Sequence, residues 1–174
     1  MPLSKELLAE AQPWVDAALR LGAAEAKAID PASVVTAAWV RLKCQYGCGG
    51  YGQKLTCPPH SPTPEQTRRV LDEYALAVLV HTTEHWTGIG QVVPALEREA
   101  FLGGNYKALG FACGPCDACK ECTLAACRHP RLARPSMEAS GIDVYATARA
   151  NGFPIEVVTS HDCPQNYYGL VLIR

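Results

Sequence analysis

The chain has 174 residues, 48% hydrophobic and 19% charged, which suits one domain with its own core and leaves little for a second. A formal net charge of −1 offers no basic excess to neutralise a phosphate backbone, so no nucleic-acid partner is expected. The best apolar run, Tyr74–His81, is far too short to span a bilayer, and Met1–Glu10 has no apolar signal core, so the expectation is a cytoplasmic protein with no membrane partner.

Ser4 is placed to cap a helix whose apolar residues Leu7, Leu8, Ala11, Trp14, Val15, Ala18 and Leu19 follow the 3.6-residue period, with Gly22 as its stop. Ala24–Ile29 and Val34–Leu42 read as strands joined by a turn at Asp30, Pro31 and Ser33. The second of these ends at Cys44, the first thiol of C-Q-Y-G-C-G-G-Y-G-Q-K-L-T-C-P-P, which also carries Cys48 and Cys57. Four glycines there let the backbone fold closely around a bound group, and Pro58 and Pro59 stiffen the exit. Thr63 caps the next helix, with Pro64 at its first position and Val70, Leu71 and Tyr74 turned inward.

Ala75–His81 reads as a strand buried on both faces, and Gly88–Leu102 as a helix that Pro94 kinks unless it sits in the first turns. Tyr106–Ala112 is expected to return as a strand and run into Cys113–Cys127. A helix from Arg134 to about Ala150, then strands Ile155–Ser160 and Tyr167–Ile173, complete the chain. Helices alternating with strands, and hairpin-like pairs at both ends, point to an α/β or α+β sandwich on one mixed sheet flanked by helices. The whole of 1–174 is then a single metal-binding domain, with cysteine-rich loops at about 44–59 and 113–135 lying at strand ends.

The stretch C-G-P-C-D-A-C-K-E-C-T-L-A-A-C places Cys113, Cys116, Cys119, Cys122 and Cys127 within fifteen residues. A C-x2-C step turns the backbone around a metal with both sulfurs inward, and three such thiols in succession suit three corners of one iron–sulfur cubane. Cys116, Cys119, Cys122 and Cys127 form C-x2-C-x2-C-x4-C, one residue longer than the bacterial ferredoxin run, with the following proline displaced to Pro130. Structural zinc usually takes two C-x2-C pairs separated by a longer loop, and remains the alternative. In a reducing compartment nine cysteines indicate metal or redox chemistry rather than disulfides.

The strings from Cys44 to Arg68, Gly114 to Cys122 and Cys127 to Val144 closely resemble the metal-binding family known as domain of unknown function 2284, over roughly Val40 to the C-terminus. The resemblance implies metal binding, iron–sulfur in type, in a small prokaryotic cytosolic protein of redox or anaerobic metabolism, and supplies no reaction. It carries the family's cysteines onto Cys44, Cys48, Cys57, Cys116, Cys119, Cys122 and Cys127. Cys113 falls at a more variable family position, and Ser140 stands where many members have cysteine.

Two four-thiolate sites need eight of the nine cysteines. The simplest allocation gives Cys116, Cys119, Cys122 and Cys127 to one [4Fe–4S] cluster and Cys44, Cys48, Cys57 and Cys113 to a second, leaving Cys163 as a free turn cysteine beside His161 and Asp162. A crossover of Cys127 or Cys113 between clusters is the other arrangement in principle. Lys120, Arg128, Arg131 and Arg134 stand near the thiols in sequence, His60 and His129 flank them, and Trp39, Tyr46 and Tyr51 are candidates to shield a cluster from water. The expected function is electron transfer to a redox partner protein. One alternative is a structural zinc module for interactions; the other is an enzyme whose three-cysteine cluster leaves an iron open beside a pocket.

Overall fold

The structure is a computed structural model describing residues 3–160 and 162–174. Met1, Pro2 and His161, one of the turn residues beside Cys163, lie outside the described residues.

The fold is α+β. Helix α1 (Lys5–Arg20) starts where the Ser4 hydroxyl accepts the Leu7 N–H, at 3.2 Å, and buries Ala11, Ala17 and Ala18. Four strands follow in the order β1-β2-β4-β3 across one sheet: β1 (Glu25–Ile29), β2 (Ala77–Thr82), β3 (Leu109–Phe111) and β4 (Tyr167–Leu172). Leu79 of β2 stands opposite both Lys27 and Leu170, so β2 is central, and all six of its residues are buried. The mixed sheet expected from sequence has ladders that are all antiparallel; parallel pairing is confined to an isolated bridge between Ala112 and Ser136.

Period-two alternation sends Val78, Val80 and Val171 to one face, against Ala18 of α1 and Val93 and Leu96 of α4 (Trp86–Leu102). Leu79, Leu170 and Leu172 face the other way, onto Leu71 of α3 (Pro64–Leu71), Met137 and Ala148 of α5 (Val144–Ala150). Helix α3 opens with the capping box of Thr63 and Gln66 and with Pro64 in its first turn. Pro94 lies inside α4 and is buried there.

Four expected elements differ. Val34–Leu42 is no strand: only Thr36 bridges, to Ile142, and Ala38–Gly47 forms helix α2. A short apolar run does not separate strand from helix, and here the i, i+4 spacing of Val40 and Cys44 turns both inward while Leu42 and Tyr46 face solvent. The Arg41 guanidinium anchors α2 by donating to the Pro62 and Ala139 carbonyls at 2.6 and 3.2 Å.

The helix expected from Arg134 to Ala150 is broken into a 3-10 turn, Glu138–Ser140, and α5. Gly141 ends the turn at φ 77 with Pro64 packed against it, so a side chain there meets both strain and a clash. Asp143 then caps α5 by accepting the Ala146 N–H at 2.9 Å. Finally, 155–160 is irregular, because β4 takes β2 and β3 as its two neighbours and has no free edge for a hairpin partner. The expected strand Tyr106–Ala112 is shortened to β3.

Candidate metal centre

Cys44 and Cys48 lie one helical turn apart at the end of α2, with Cys48 as its C-cap. The chain then turns through Gly49–Thr56 to Cys57, which is buried. Gly50 donates its N–H to Cys48 Sγ at 3.4 Å, and a Cβ on Gly50 would touch Cys57 Sγ, Cys48 Sγ and Pro115 at 3.5, 3.6 and 3.7 Å. Two sulfurs of the first loop and a residue of the second therefore converge on one backbone position.

Cys113 arrives from β3. The Ala112 N–H donates to Pro135 and the Ala112 carbonyl accepts from Met137, at 2.8 and 3.0 Å, fastening Cys113 beside the Glu138–Ser140 turn. Cys44 approaches the same turn, its sulfur 4.0 Å from the Glu138 carbonyl oxygen. Cys44, Cys48, Cys57 and Cys113 all line one cavity of about 780 Å³.

Cys116, Cys119, Cys122 and Cys127 line a second, much tighter cavity of about 20 Å³. Its opposite wall is Lys54, Leu55 and Thr56, the residues just before Cys57. One stretch of the first loop thus serves both cavities.

The thiols differ in electrostatics. Burial raises the pKa of Cys113 most, with Glu138 adding to it; burial first, then the neighbouring Cys48 and Glu138, raises Cys44. Cys57 is raised by burial and by Cys48 and Cys116, against the pull of Thr56 and Lys54. Cys122 runs the other way: the backbone N–H groups of Leu124 and Leu55 lower it, helped by Lys54 and Arg128. Leu124 holds φ 57, a left-handed conformation uncommon for a leucine.

Among the described residues, no three His, Cys, Asp or Glu side chains are closed tightly enough to hold a single metal ion. The donor sets nevertheless suit thiophilic metal chemistry: each cavity is bordered by four cysteines, free of disulfides, and soft thiolates select zinc, copper(I) and iron–sulfur clusters. Ligation requires the thiolate, so a bound cation must offset the raised pKa values of Cys44, Cys57, Cys113 and Cys116.

The remaining candidates separate clearly. Trp39 and Tyr51 line the first cavity, whereas Tyr46 is 81% exposed and lines neither. His60 and His129 are exposed and line neither cavity, and Cys163 lies apart with Thr159 and Ser160. Arg128 borders the second cavity and donates to the Glu121 carbonyl at 2.6 Å. Arg134 instead makes a two-pronged ion pair with Glu97, and Lys120 and Arg131 point to solvent.

Sequence reasoning missed Lys54, Trp86 and Glu138. Lys54 sits between Cys48 and Cys57 and was visible as the one cation inside that loop. Trp86 packs its ring against Gly114, next to Cys113. Glu138 lies within the R-P-S-M-E-A-S-G string, where nothing in spacing marks a lone glutamate as facing the thiols.

No helix among the described residues is long and apolar enough to cross a membrane. No curated protein and no solved structure matches the chain. The family described as predicted metal-binding protein, domain of unknown function 2284, matches residues 27–173, a span that takes in both cysteine loops and all four strands but the start of β1, and the chain belongs to that family.

Proposed function

We propose that this is a cytoplasmic iron–sulfur protein holding two [4Fe–4S] clusters, one at each set of four cysteines, and serving as an electron carrier or electron-transfer subunit for a redox partner protein. The observation that carries the reading is the division of eight cysteines four and four between two cavities bordered by consecutive residues of one loop, Lys54–Thr56 on the second and Cys57 on the first. Cys44, Cys48, Cys57 and Cys113 would hold the first cluster and Cys116, Cys119, Cys122 and Cys127 the second. When bound, such clusters supply one-electron transfer. The chain's own contribution is to bury Cys57 and Cys113 of the first site, to keep the second near the exposed loop 117–133, and to set charge at both through Lys54.

The test is purification without oxygen, with absorption near ~400 nm and assays of iron, sulfide and zinc per chain. A brown protein with about eight irons and eight sulfides that bleaches on reduction supports the reading. A colourless protein carrying zinc and no sulfide replaces it with a structural zinc module.

A further inference from the structure

One face of α2 is left without a partner in the fold. Val40, Cys44 and the Arg41 guanidinium turn inward, whereas Trp39, Leu42 and Tyr46, at i, i+3 and i+7, form a stripe that is 48%, 54% and 81% exposed. Trp39 also borders the opening of the first cavity, and so do Val157 and Val158, which are exposed on the irregular segment after α5. Five large apolar side chains therefore meet on one surface. With the aromatic rings among them they leave on the order of 500 Å² in water, near the top of the ~300–600 Å² that the largest patch of a monomer covers.

The far half of this surface is open at the backbone as well. Val157-Val158-Thr159 has the composition of a strand, yet among the described residues no backbone carbonyl accepts the N–H groups of 156–159. The rim carries charges of both signs on different elements: Lys43 is exposed on α2, and Glu156, exposed beside the valines, pairs with Arg149 at 3.3 Å. Such a surface is complementary to itself, because a two-fold rotation brings the cation of α2 to the anion of the other copy's 155–158, and does so twice. Its chemistry also separates the occupants. Transient electron-transfer encounters use small contacts, whereas an apolar centre holding Trp and Tyr is the make-up of a lasting interface.

We propose that this face is covered by a second copy of the chain, in a two-fold dimer that lays the Trp39, Leu42 and Tyr46 stripe of each copy on Val157 and Val158 of the other, with Lys43 against the partner's Glu156. The stripe, the two valines and their charged rim approach the ~800 Å² that each partner of a standard interface buries. Because Trp39, Val157 and Val158 border the opening beside Cys44 and Cys113, each copy closes the other's first thiol site to solvent. The association rests on this surface and not on the identity of the metal.

The experiment is sedimentation equilibrium of the full chain, purified without oxygen, at ~1 to ~100 μM, since a dimer is read from its dependence on protomer concentration. A species of twice the 18.7 kDa chain mass is expected. Leu42→Asp and Val157→Asp, one on each half of the contact, should each weaken it at least about a hundredfold, because a two-fold interface loses the contact twice. Both positions are exposed in the single chain, so circular dichroism should stay unchanged. Lys43→Glu and Glu156→Lys should each weaken the dimer about tenfold, and the two together should restore it, because the exchanged charges face each other again. A monomer throughout the range, which leaves the face to a different protein, a dimer unchanged by Leu42→Asp and by Val157→Asp, or a double exchange no tighter than its single changes overturns the proposal. Iron, sulfide and zinc are assayed on the same samples: a dimer carrying zinc and no sulfide sinks the electron-transfer reading alone, and clusters in a monomer sink the dimer alone.

Discussion

Cys57 and Cys116 stand within electrostatic reach of each other although they line different cavities, and each of their thiols is raised mainly by burial. The two sulfurs come near each other because Lys54–Thr56 wall the second cavity while the next residue, Cys57, turns into the first. Two centres held this way are mechanically joined. Cys57→Ser is therefore expected to lose about half of the iron and sulfide and also to alter the spin-resonance signal of the surviving cluster. Cys163→Ser should keep the full complement, since Cys163 lines neither cavity. Loss of a cluster in Cys163→Ser, with none in Cys113→Ser, would refute the ligand allocation.

The parts legible in sequence are those governed by local rules. The caps at Ser4 and Thr63, the buried run of β2 and the clustering of thiols into two loops all depend on neighbours within a few residues. What was not legible depends on partners far away. Val34–Leu42 has the composition of a strand, and its helical state is tied to Arg41 reaching carbonyls at Pro62 and Ala139. The break at Gly141 needs Pro64 beside it, and the irregular 155–160 segment reflects β3 occupying the edge beside β4. Glu138 was hidden for the same reason: the bridge from Ala112 to Ser136 is what carries its turn to Cys113.

Glu97 joins α4 to the exit of the second cysteine loop. Its carboxylate takes Arg134 Nε and a terminal nitrogen at 2.5 Å each and accepts the Gly110 N–H at 2.7 Å, while Arg134 also donates to the Pro130 carbonyl at 3.0 Å. Both side chains are largely buried, so removing one charge strands the other. Glu97→Gln should cost about 2 kcal/mol or more and lower Tm by at least about 4 °C in thermal unfolding of the metal-loaded protein. A double change of Glu97 and Arg134 to apolar residues should recover part of that loss, which a double-mutant cycle reads directly.

Cys163 offers a pH test away from the two cysteine-lined cavities. The hydroxyls of Ser160 and Thr159, at 3.4 and 3.5 Å, and nearby backbone N–H groups stabilise the thiolate and bring its pKa down to about 6. A lowered thiol pKa means that the reactive anion is already populated at neutral pH and is lost as pH falls through the folded value. Alkylation of Cys163 by iodoacetamide should thus rise through pH ~6 and level off by about pH 7.5, where an ordinary thiol is still climbing toward ~8.5. Ser160→Ala should move the midpoint upward; peptide mapping of the modified residue follows it.

Lys54 is the cation shared by both sites. It lowers the thiol pKa at Cys57, Cys116 and Cys122, which means that its charge favours negative charge on sulfurs of both cavities. In the proposed clusters, reduction would add an electron to an already anionic centre, so the same charge would favour the reduced state and raise the potential. Lys54→Met keeps much of the apolar stem and removes the charge, and should lower both potentials by tens of millivolts, on the order of the ~59 mV of a tenfold change in a one-electron equilibrium. Because Arg128 assists at Cys122 but is not among the cations acting on Cys57, Arg128→Met should shift the second cluster and leave the first nearly unchanged. Redox titration followed by spin resonance separates the two cases. Equal shifts of both clusters in Arg128→Met would show that the charges act as a diffuse surface field instead of through these particular sulfurs.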